Sequence, residues 1–250
     1  MASAIERAVA RMESGVARRK PDPLTSVVLT MPVFVAYHLG VLVIDVRDGV
    51  DWVSGLTLWL LDESVPAYVG ATLSVALCLV LAAWIQRRRG QVRPAALFSI
   101  VAESCAWAVV MAITIGWATH VITREAAGVL AAAVGSVSEL GALDKIILAA
   151  GAGFHEEAVF RVGLFSGGVL VLQRGAGLGR ASALLVALLV SSVVFALVHH
   201  VGPYAEPLAF APLLFRTLTG VFLAGVYLLR GFGVAVYTHA IYDALVFFVL

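Results

Sequence analysis

Four ionisable side chains lie close together in the stretch GFHEEAVFR, at positions 153–161. They are His155, Glu156, Glu157 and Arg161, and long apolar runs border the stretch on both sides. A carboxylate can take a proton from water, and an imidazole can accept or donate one near neutral pH. These residue types therefore suit acid–base chemistry, provided that the fold gives them partners.

Two later stretches supply such partners at helical spacing. In FALVHH, Phe195 and His199 are one helical turn apart on one face, and His200 follows. In YTHAIYDA, His239 and Asp243 have the same spacing. Each pair alone is as typical of helix packing as of catalysis. The full set of carboxylates and imidazoles contains the groups needed to activate water, which favours a hydrolytic site.

Helix geometry separates the two adjacent glutamates. At about 100° per residue, Glu157 and Arg161 lie on one face and are predicted to form an internal ion pair. Glu156 points about 100° away from Glu157, toward another part of the protein. Two adjacent carboxylates in a low-dielectric environment also resist joint ionisation. Glu156 is therefore the glutamate left to act as a general base.

Membrane-spanning helices are the elements that must position these residues. The chain is 61% hydrophobic and 13% charged with a mean hydropathy of +0.99, whereas soluble domains are about 45–50% apolar and about 25% charged. The prediction is an all-α polytopic membrane protein with about seven transmembrane helices, plus an interfacial or re-entrant helix over 124–142. The seven apolar runs are 25–46, 65–86, 95–119, 145–172, 181–201, 208–229 and 232–250.

The positions of Lys and Arg predict the orientation in the membrane. Most of the 17 Lys and Arg residues fall in the N-terminal tail and in alternate loops, while the opposite loops are acidic. Because cytoplasmic loops carry the basic excess, residues 1–23 are predicted to be a cytoplasmic tail. Residues 24–250 form the predicted transmembrane domain, with a catalytic core at about 145–250. The sequence shows no basic stripe of the kind that binds nucleic acid, so no nucleic-acid partner is predicted.

Three further ionisable residues fall inside the spans, namely His38, Glu103 and Arg216. A charged side chain at the centre of a membrane helix costs on the order of 2.5–3.5 kcal/mol, so such residues need partners. His38 is interpreted as a packing residue. Glu103 and Arg216 are interpreted as structural residues that could pair with each other.

The three polar stretches resemble the motifs of the CPBP family of intramembrane proteases, which includes CAAX proteases and bacteriocin-processing enzymes and is also called Abi or Rce1-like. The family motifs EExxxR, FxxxH and HxxxN or HxxxD match Glu156-Glu157-AVF-Arg161, Phe195-ALV-His199 and His239-AIY-Asp243. The resemblance covers residues from about 145 to 250, in the family's order and on predicted spans. It implies an intramembrane endopeptidase of the glutamate type.

The resemblance implies roles for the residues of the first two motifs. Glu156 would be the catalytic glutamate and would activate water together with His199. Glu157, Arg161 and Phe195 would support these two residues. The supporting role of the second glutamate agrees with its predicted ion pair.

The third motif would stabilise the oxyanion or orient the substrate carbonyl, through His239 and Asp243. The family often has Asn at the last position. An amide can donate a hydrogen bond to an oxyanion, whereas an ionised carboxylate cannot. Asp243 must therefore be protonated if it faces the substrate. Otherwise it orients His239, and that ring alone serves the oxyanion.

Metal dependence has two readings at the level of sequence. Glu156, His199, His239 and Asp243 would suit zinc with an open water position. However, no histidine lies three residues after either glutamate, so the HExxH spacing is absent. The resemblance implies a mechanism without metal. No cofactor is therefore predicted, and zinc is the alternative.

The ends of the spans predict where the site opens. His199 ends the fifth span on the acidic side, and Asp243 lies past the middle of the seventh span toward the same side. This predicts a site that opens toward the extracytoplasmic side of a bacterial cytoplasmic membrane. The expected substrate is a membrane-anchored or exported protein or peptide, as for sorting-type (myxosortase-like) enzymes, rather than a prenylated cytoplasmic protein.

Two other functions are compatible with intramembrane charges. A multi-span transporter or proton-relay protein also uses Glu, His and Arg within the bilayer, although no inverted repeat is visible in the sequence. A non-catalytic immunity or scaffold protein of the same fold is the second alternative.

Overall fold

The computed structural model describes residues 21–43, 52–62, 64–88, 91–92, 94–125, 140–201, 205 and 208–249. These residues are almost entirely helical and contain no β-strand. The predicted tail over 1–23 and the predicted interfacial helix over 124–142 lie mostly outside the described residues. The first four helices are α1 (Pro23–Val43), α2 (Trp52–Leu60), α3 (Val65–Gln86) and α4 (Pro94–Thr123).

The chain is continuously helical from 142 to 174, where the fourth span was predicted. This run consists of α5 (Ala142–Gly151), two π-helical segments (Ala152–Glu156 and Ala158–Ser166) and α6 (Gly167–Arg174). π-Helical geometry is rare, usually limited to a single turn, and frequent at functional sites. The two π-helical segments include most of the EExxxR motif at 156–161, which is consistent with a functional role for this part of the run.

Three long helices complete the described chain: α7 (Arg180–Val198), α8 (Phe210–Arg230) and α9 (Phe232–Val249). Gly231 alone separates α8 from α9. Its φ of +87° lies in a region that L side chains rarely adopt, so glycine is required at this sharp reversal. The predicted boundary between the last two spans is thereby confirmed.

Among the described residues, six helices are long and apolar enough to cross a membrane, namely α1, α3, α4, α7, α8 and α9. The helical run over 142–174 corresponds to the remaining predicted span. Large apolar side chains such as Trp59, Phe98 and Trp117 are exposed on the surface, as expected for helices that face lipid. The all-α polytopic fold is confirmed, and the chain is an integral membrane protein.

Helix α9 lies at the centre of the packing. It contacts α1, α4, α5, α8 and the π-helical segment Ala152–Glu156. Near its start, Val234, Ala235 and Val236 are fully buried, so neighbouring helices surround this part of α9. By contrast, α3 is peripheral and contacts α1 and α2. The helix that carries the third motif is therefore held from several sides.

The predicted pairing of Glu103 with Arg216 is wrong. Glu103 instead accepts two hydrogen bonds from Arg230, at 2.6 and 2.8 Å, and a third from Trp107 Nε1 at 3.1 Å. Arg216 lies 14 residues before Arg230 on α8, which is about 21 Å along the helix axis. The first half of α4 packs beside the far end of α8, so the nearer arginine takes the carboxylate.

Candidate active site

The predicted ion pair within the first motif is confirmed. Arg161 Nε lies 3.0 Å from Glu157 Oε2, and both side chains are fully buried. The guanidinium carbon of Arg161 also lies 4.8 Å from the centroid of the Phe195 ring, a cation–π contact. Phe195 thus supports the first motif from α7. Charge and ring together hold one carboxylate of the motif in place.

The other glutamate of the motif, Glu156, faces two histidines from two other helices. Glu156 Oε2 lies 3.8 Å from His199 Nε2 and 3.9 Å from His239 Nε2. The three residues come from the first π-helical segment, the end of α7 and the middle of α9. Both distances exceed a direct hydrogen bond. The three groups therefore surround a common point within a buried region, as a site for a small polar reactant requires.

The position of His199 at the end of α7 determines which of its nitrogens faces Glu156. Nδ1 lies 2.7 Å from the backbone oxygen of Phe195, one of the last carbonyls of the helix. Because a carbonyl oxygen only accepts hydrogen bonds, Nδ1 carries the proton. Nε2 of the neutral ring is then an acceptor directed toward Glu156.

His239 contacts all three carboxylates of the site. Its Nδ1 donates a hydrogen bond of 3.0 Å to Glu157 Oε1. Its Nε2 faces Asp243 Oδ2 at 3.5 Å as well as Glu156 Oε2 at 3.9 Å. Helix geometry alone placed the two glutamates on different faces. A single imidazole spans both faces because its two nitrogens project from different sides of the ring.

The structure thus brings together every residue that the sequence analysis selected for the site. A closely packed glycine, Gly153, allows this. A Cβ atom on Gly153 would lie 2.7 Å from Ala240 Cβ and 2.8 Å from the backbone oxygen of Val236. The π-helical segment therefore packs directly on the backbone of α9, next to His239. This close approach had no local signal in the sequence.

Replacing Gly153 by alanine is expected to push the catalytic segment away from α9. Overpacking of this kind costs about 1–3 kcal/mol, so Gly153→Ala should lower the melting temperature in detergent and reduce activity. The matched control is Gly116→Ala in α4, where nothing lies within 4 Å of the added Cβ. That change should be neutral or stabilising by up to about 1 kcal/mol. Equal melting temperatures for the two variants would contradict the proposed contact.

The separations around Glu156 can be compared with those around a tetrahedral zinc ion. Ligand atoms about 2.1 Å from a tetrahedral zinc lie about 3.4 Å from one another. Glu156 Oε2 is farther than that from both imidazole nitrogens. Within the described residues, no three His, Cys, Asp or Glu side chains form a group that could hold a metal ion.

Sequence reasoning left His155 without a place in the site. Its ring lies against Tyr37 and His38 of α1, with centroid distances of 4.9 and 5.2 Å, and against Phe154 at 5.4 Å. The two contacts with α1 join residues more than a hundred positions apart. No local pattern in the sequence could have indicated them.

One of three comparisons with known proteins gave a match, and it covers the segment that holds this site. Residues 139–245 match a protein-family model described as type II CAAX prenyl endopeptidase Rce1-like. The match contains all three motifs and excludes α1 to α4. No curated protein and no solved structure matched the chain.

Proposed function

Because residues 139–245 match the model of Rce1-like type II CAAX prenyl endopeptidases, we propose that this membrane protein hydrolyses a peptide bond of a membrane-associated or exported protein. The observation that carries the proposal is the convergence of Glu156 Oε2 with His199 Nε2 at 3.8 Å and His239 Nε2 at 3.9 Å. A carboxylate between two imidazoles, held in a buried region, can activate water and stabilise the charge that develops.

Glu156 and His199 would activate the water. The water donates one hydrogen bond to the Glu156 carboxylate and the other to the free Nε2 of His199. As the water oxygen bonds to the substrate carbonyl carbon, Glu156 takes one of its protons. The carbonyl π electrons move to the substrate oxygen and form the oxyanion. His199 orients the water, and its bond to the Phe195 carbonyl keeps Nε2 available as an acceptor.

His239 would stabilise the oxyanion. Glu156, Glu157 and Asp243 place three carboxylates around Arg161 and the His239 ring. The three carboxylates favour a protonated ring, which directs its Nδ1–H to Glu157 and its Nε2–H toward the substrate oxygen. When the oxyanion collapses, the C–N bond breaks and Glu156 returns its proton to the leaving nitrogen.

Asp243 would orient His239 rather than bind the oxyanion itself. Its Oδ2 lies 3.5 Å from His239 Nε2, which supports the second of the two readings of an Asp at this motif position. An ionised Asp243 favours the protonated ring and gives up the Nε2–H to the oxyanion when that charge forms. This role explains why a carboxylate can replace the amide that the family often has.

The mechanism uses no metal, and metal-free catalysis stays a prediction. The separations around Glu156 support it because they exceed those between tetrahedral zinc ligands. Purified protein dialysed against a chelator should keep its activity. Stoichiometric zinc together with zinc-dependent cleavage would contradict the mechanism.

The substrate would enter from the extracytoplasmic side. Glu156 lies about 21 Å along the helical run that starts at Ala142, so the reaction takes place deep in the bilayer. His199 lies at the end of α7, nearer to the surface. Together with the basic excess in the other loops, this favours an exported or membrane-anchored substrate of the kind that sorting-type enzymes cleave.

A cysteine at position 200 tests this orientation. After Cys78 and Cys105, both exposed, are replaced by alanine, His200→Cys should react with an impermeant maleimide added from outside the cell. Arg88→Cys, at an exposed position in a predicted cytoplasmic loop, should react only in inverted vesicles. Labelling of position 200 from the cytoplasmic side alone would contradict the orientation.

Reconstitution of the purified wild-type protein tests the function itself. In liposomes that contain a membrane-embedded peptide, new peptide termini should appear and be detectable by mass spectrometry. The same liposomes should show no proton-linked flux. Flux without cleavage would support the transporter instead. The absence of both cleavage and flux would support a scaffold.

A further inference from the structure

The ring of His155 belongs to an aromatic cluster behind the proposed catalytic residue. We call Tyr37, His38, Tyr68, Phe154 and His155 the ring cluster. Centroid distances within it include 4.9 Å from Tyr37 to His155 and 5.2 Å from His38 to His155. These are edge-to-face distances at which aromatic pairs attract one another. His155 immediately precedes Glu156, so the cluster ends at the proposed base.

Helix α3 joins the ring cluster through a hydrogen bond. The hydroxyl of Tyr68 lies 2.8 Å from His38 Nδ1, and Thr72 Oγ1 lies 3.4 Å from the same nitrogen. Tyr68 is the buried residue of an otherwise peripheral helix. The interaction is therefore a specific link between α3 and α1 rather than part of a general apolar surface.

Tyr37 packs directly on the backbone of the catalytic run. It is fully buried, and a Cβ atom on Gly151 would lie 2.2 Å from its ring. Gly151 precedes Glu156 by five residues, about one turn of π-helix. The ring thus contacts the run one turn before Glu156, while His155 contacts the cluster one residue before it.

We propose that the ring cluster positions Glu156, so that α1 and α3, which lie outside the family segment, determine where the carboxylate stands between His199 and His239. The proposal rests on the proposed function, since it assumes that the position of Glu156 limits catalysis. A displacement of about 1 Å can cost about 100-fold in rate. The cluster contacts the run at Gly151 and at His155, close enough to Glu156 to limit such a displacement.

Removing the Tyr68 hydroxyl tests the proposal with little disturbance of packing. Tyr68→Phe keeps the ring and deletes the bond to His38. Its kcat should fall about 3- to 10-fold, a part of the loss that a full 1 Å displacement causes, with KM within about twofold. Amide hydrogen exchange of residues 152–158, measured by mass spectrometry, should become faster because the segment opens more easily.

Tyr237→Phe is the matched control. It deletes a hydroxyl that donates a hydrogen bond of 3.0 Å to the backbone oxygen of Leu29 on α1, and neither residue belongs to the ring cluster. Its kcat and its exchange over 152–158 should match the wild type, although both variants lose one bond to α1. If Tyr68→Phe behaves like Tyr237→Phe in both measurements, the cluster does not position Glu156. If Glu156→Gln cleaves normally, the proposed function fails instead, and the exchange data still decide whether the cluster holds the segment.

Discussion

Replacing Glu156 by glutamine is expected to slow peptide cleavage by about 10²- to 10⁴-fold, the usual contribution of a general base. Glutamine has nearly the same size, so the packing of the π-helical segment should not change. An amide cannot take a proton from water. KM should change little, because the carboxylate acts on the water rather than on the bound peptide.

Single-turnover cleavage of a membrane-embedded peptide measures this loss. Glu125→Gln is the control, since Glu125 is exposed beyond the end of α4 and far in sequence from the three motifs. It should cleave at the wild-type rate. Glu156→Gln should also melt close to the wild-type temperature, because glutamine has nearly the same size and its amide oxygen can still accept a hydrogen bond. Cleavage by Glu156→Gln within tenfold of the wild type would reject Glu156 as the base.

The features that sequence could predict are those that depend on near neighbours. The spans follow from runs of apolar residues, and each predicted long helix is present in the described chain. The pair Glu157 and Arg161 follows from a spacing of four residues, which brings side chains together in any continuous helix. The widening of this run to a π-helix leaves that pair intact.

The features that sequence could not predict depend on contacts between distant helices. Glu103 pairs with Arg230 because of where α4 and α8 cross, not because of any local pattern. The contact between His239 and Glu157 requires the close approach that Gly153 permits. Composition cannot distinguish such a glycine from one that faces lipid.

The N-terminal half of the protein illustrates the same limit. His38 was interpreted as a packing residue because it is isolated in an apolar run. The structure does bury it, but beside Tyr68 and His155 rather than among aliphatic side chains. A packing role and a positioning role look alike in a sequence. The two roles differ only in whether the buried ring fixes the position of a functional residue.

Replacing Arg161 by methionine is expected to destabilise the protein by about 3–5 kcal/mol, the usual cost of removing one partner of a buried ion pair. Both Arg161 and Glu157 are fully buried at a separation of 3.0 Å. Methionine fills much of the volume but leaves the Glu157 carboxylate without its permanent cation. His239 remains 3.0 Å away, but it already bonds Glu157 in the wild type and so does not replace the lost guanidinium.

Two further variants separate the charge effect from lost packing. Arg230→Met removes the cation of the Glu103 pair, whose side chains are about a quarter exposed, and should cost about 1 kcal/mol or less. Adding Glu157→Gln to Arg161→Met removes the buried charge itself, so the double variant should regain much of the lost stability. Unfolding in mixed micelles measures all three. If Arg161→Met is no less stable than Arg230→Met, the buried pair does not hold the first motif together. If the double variant regains nothing, the loss comes from packing against Phe195 rather than from the stranded carboxylate.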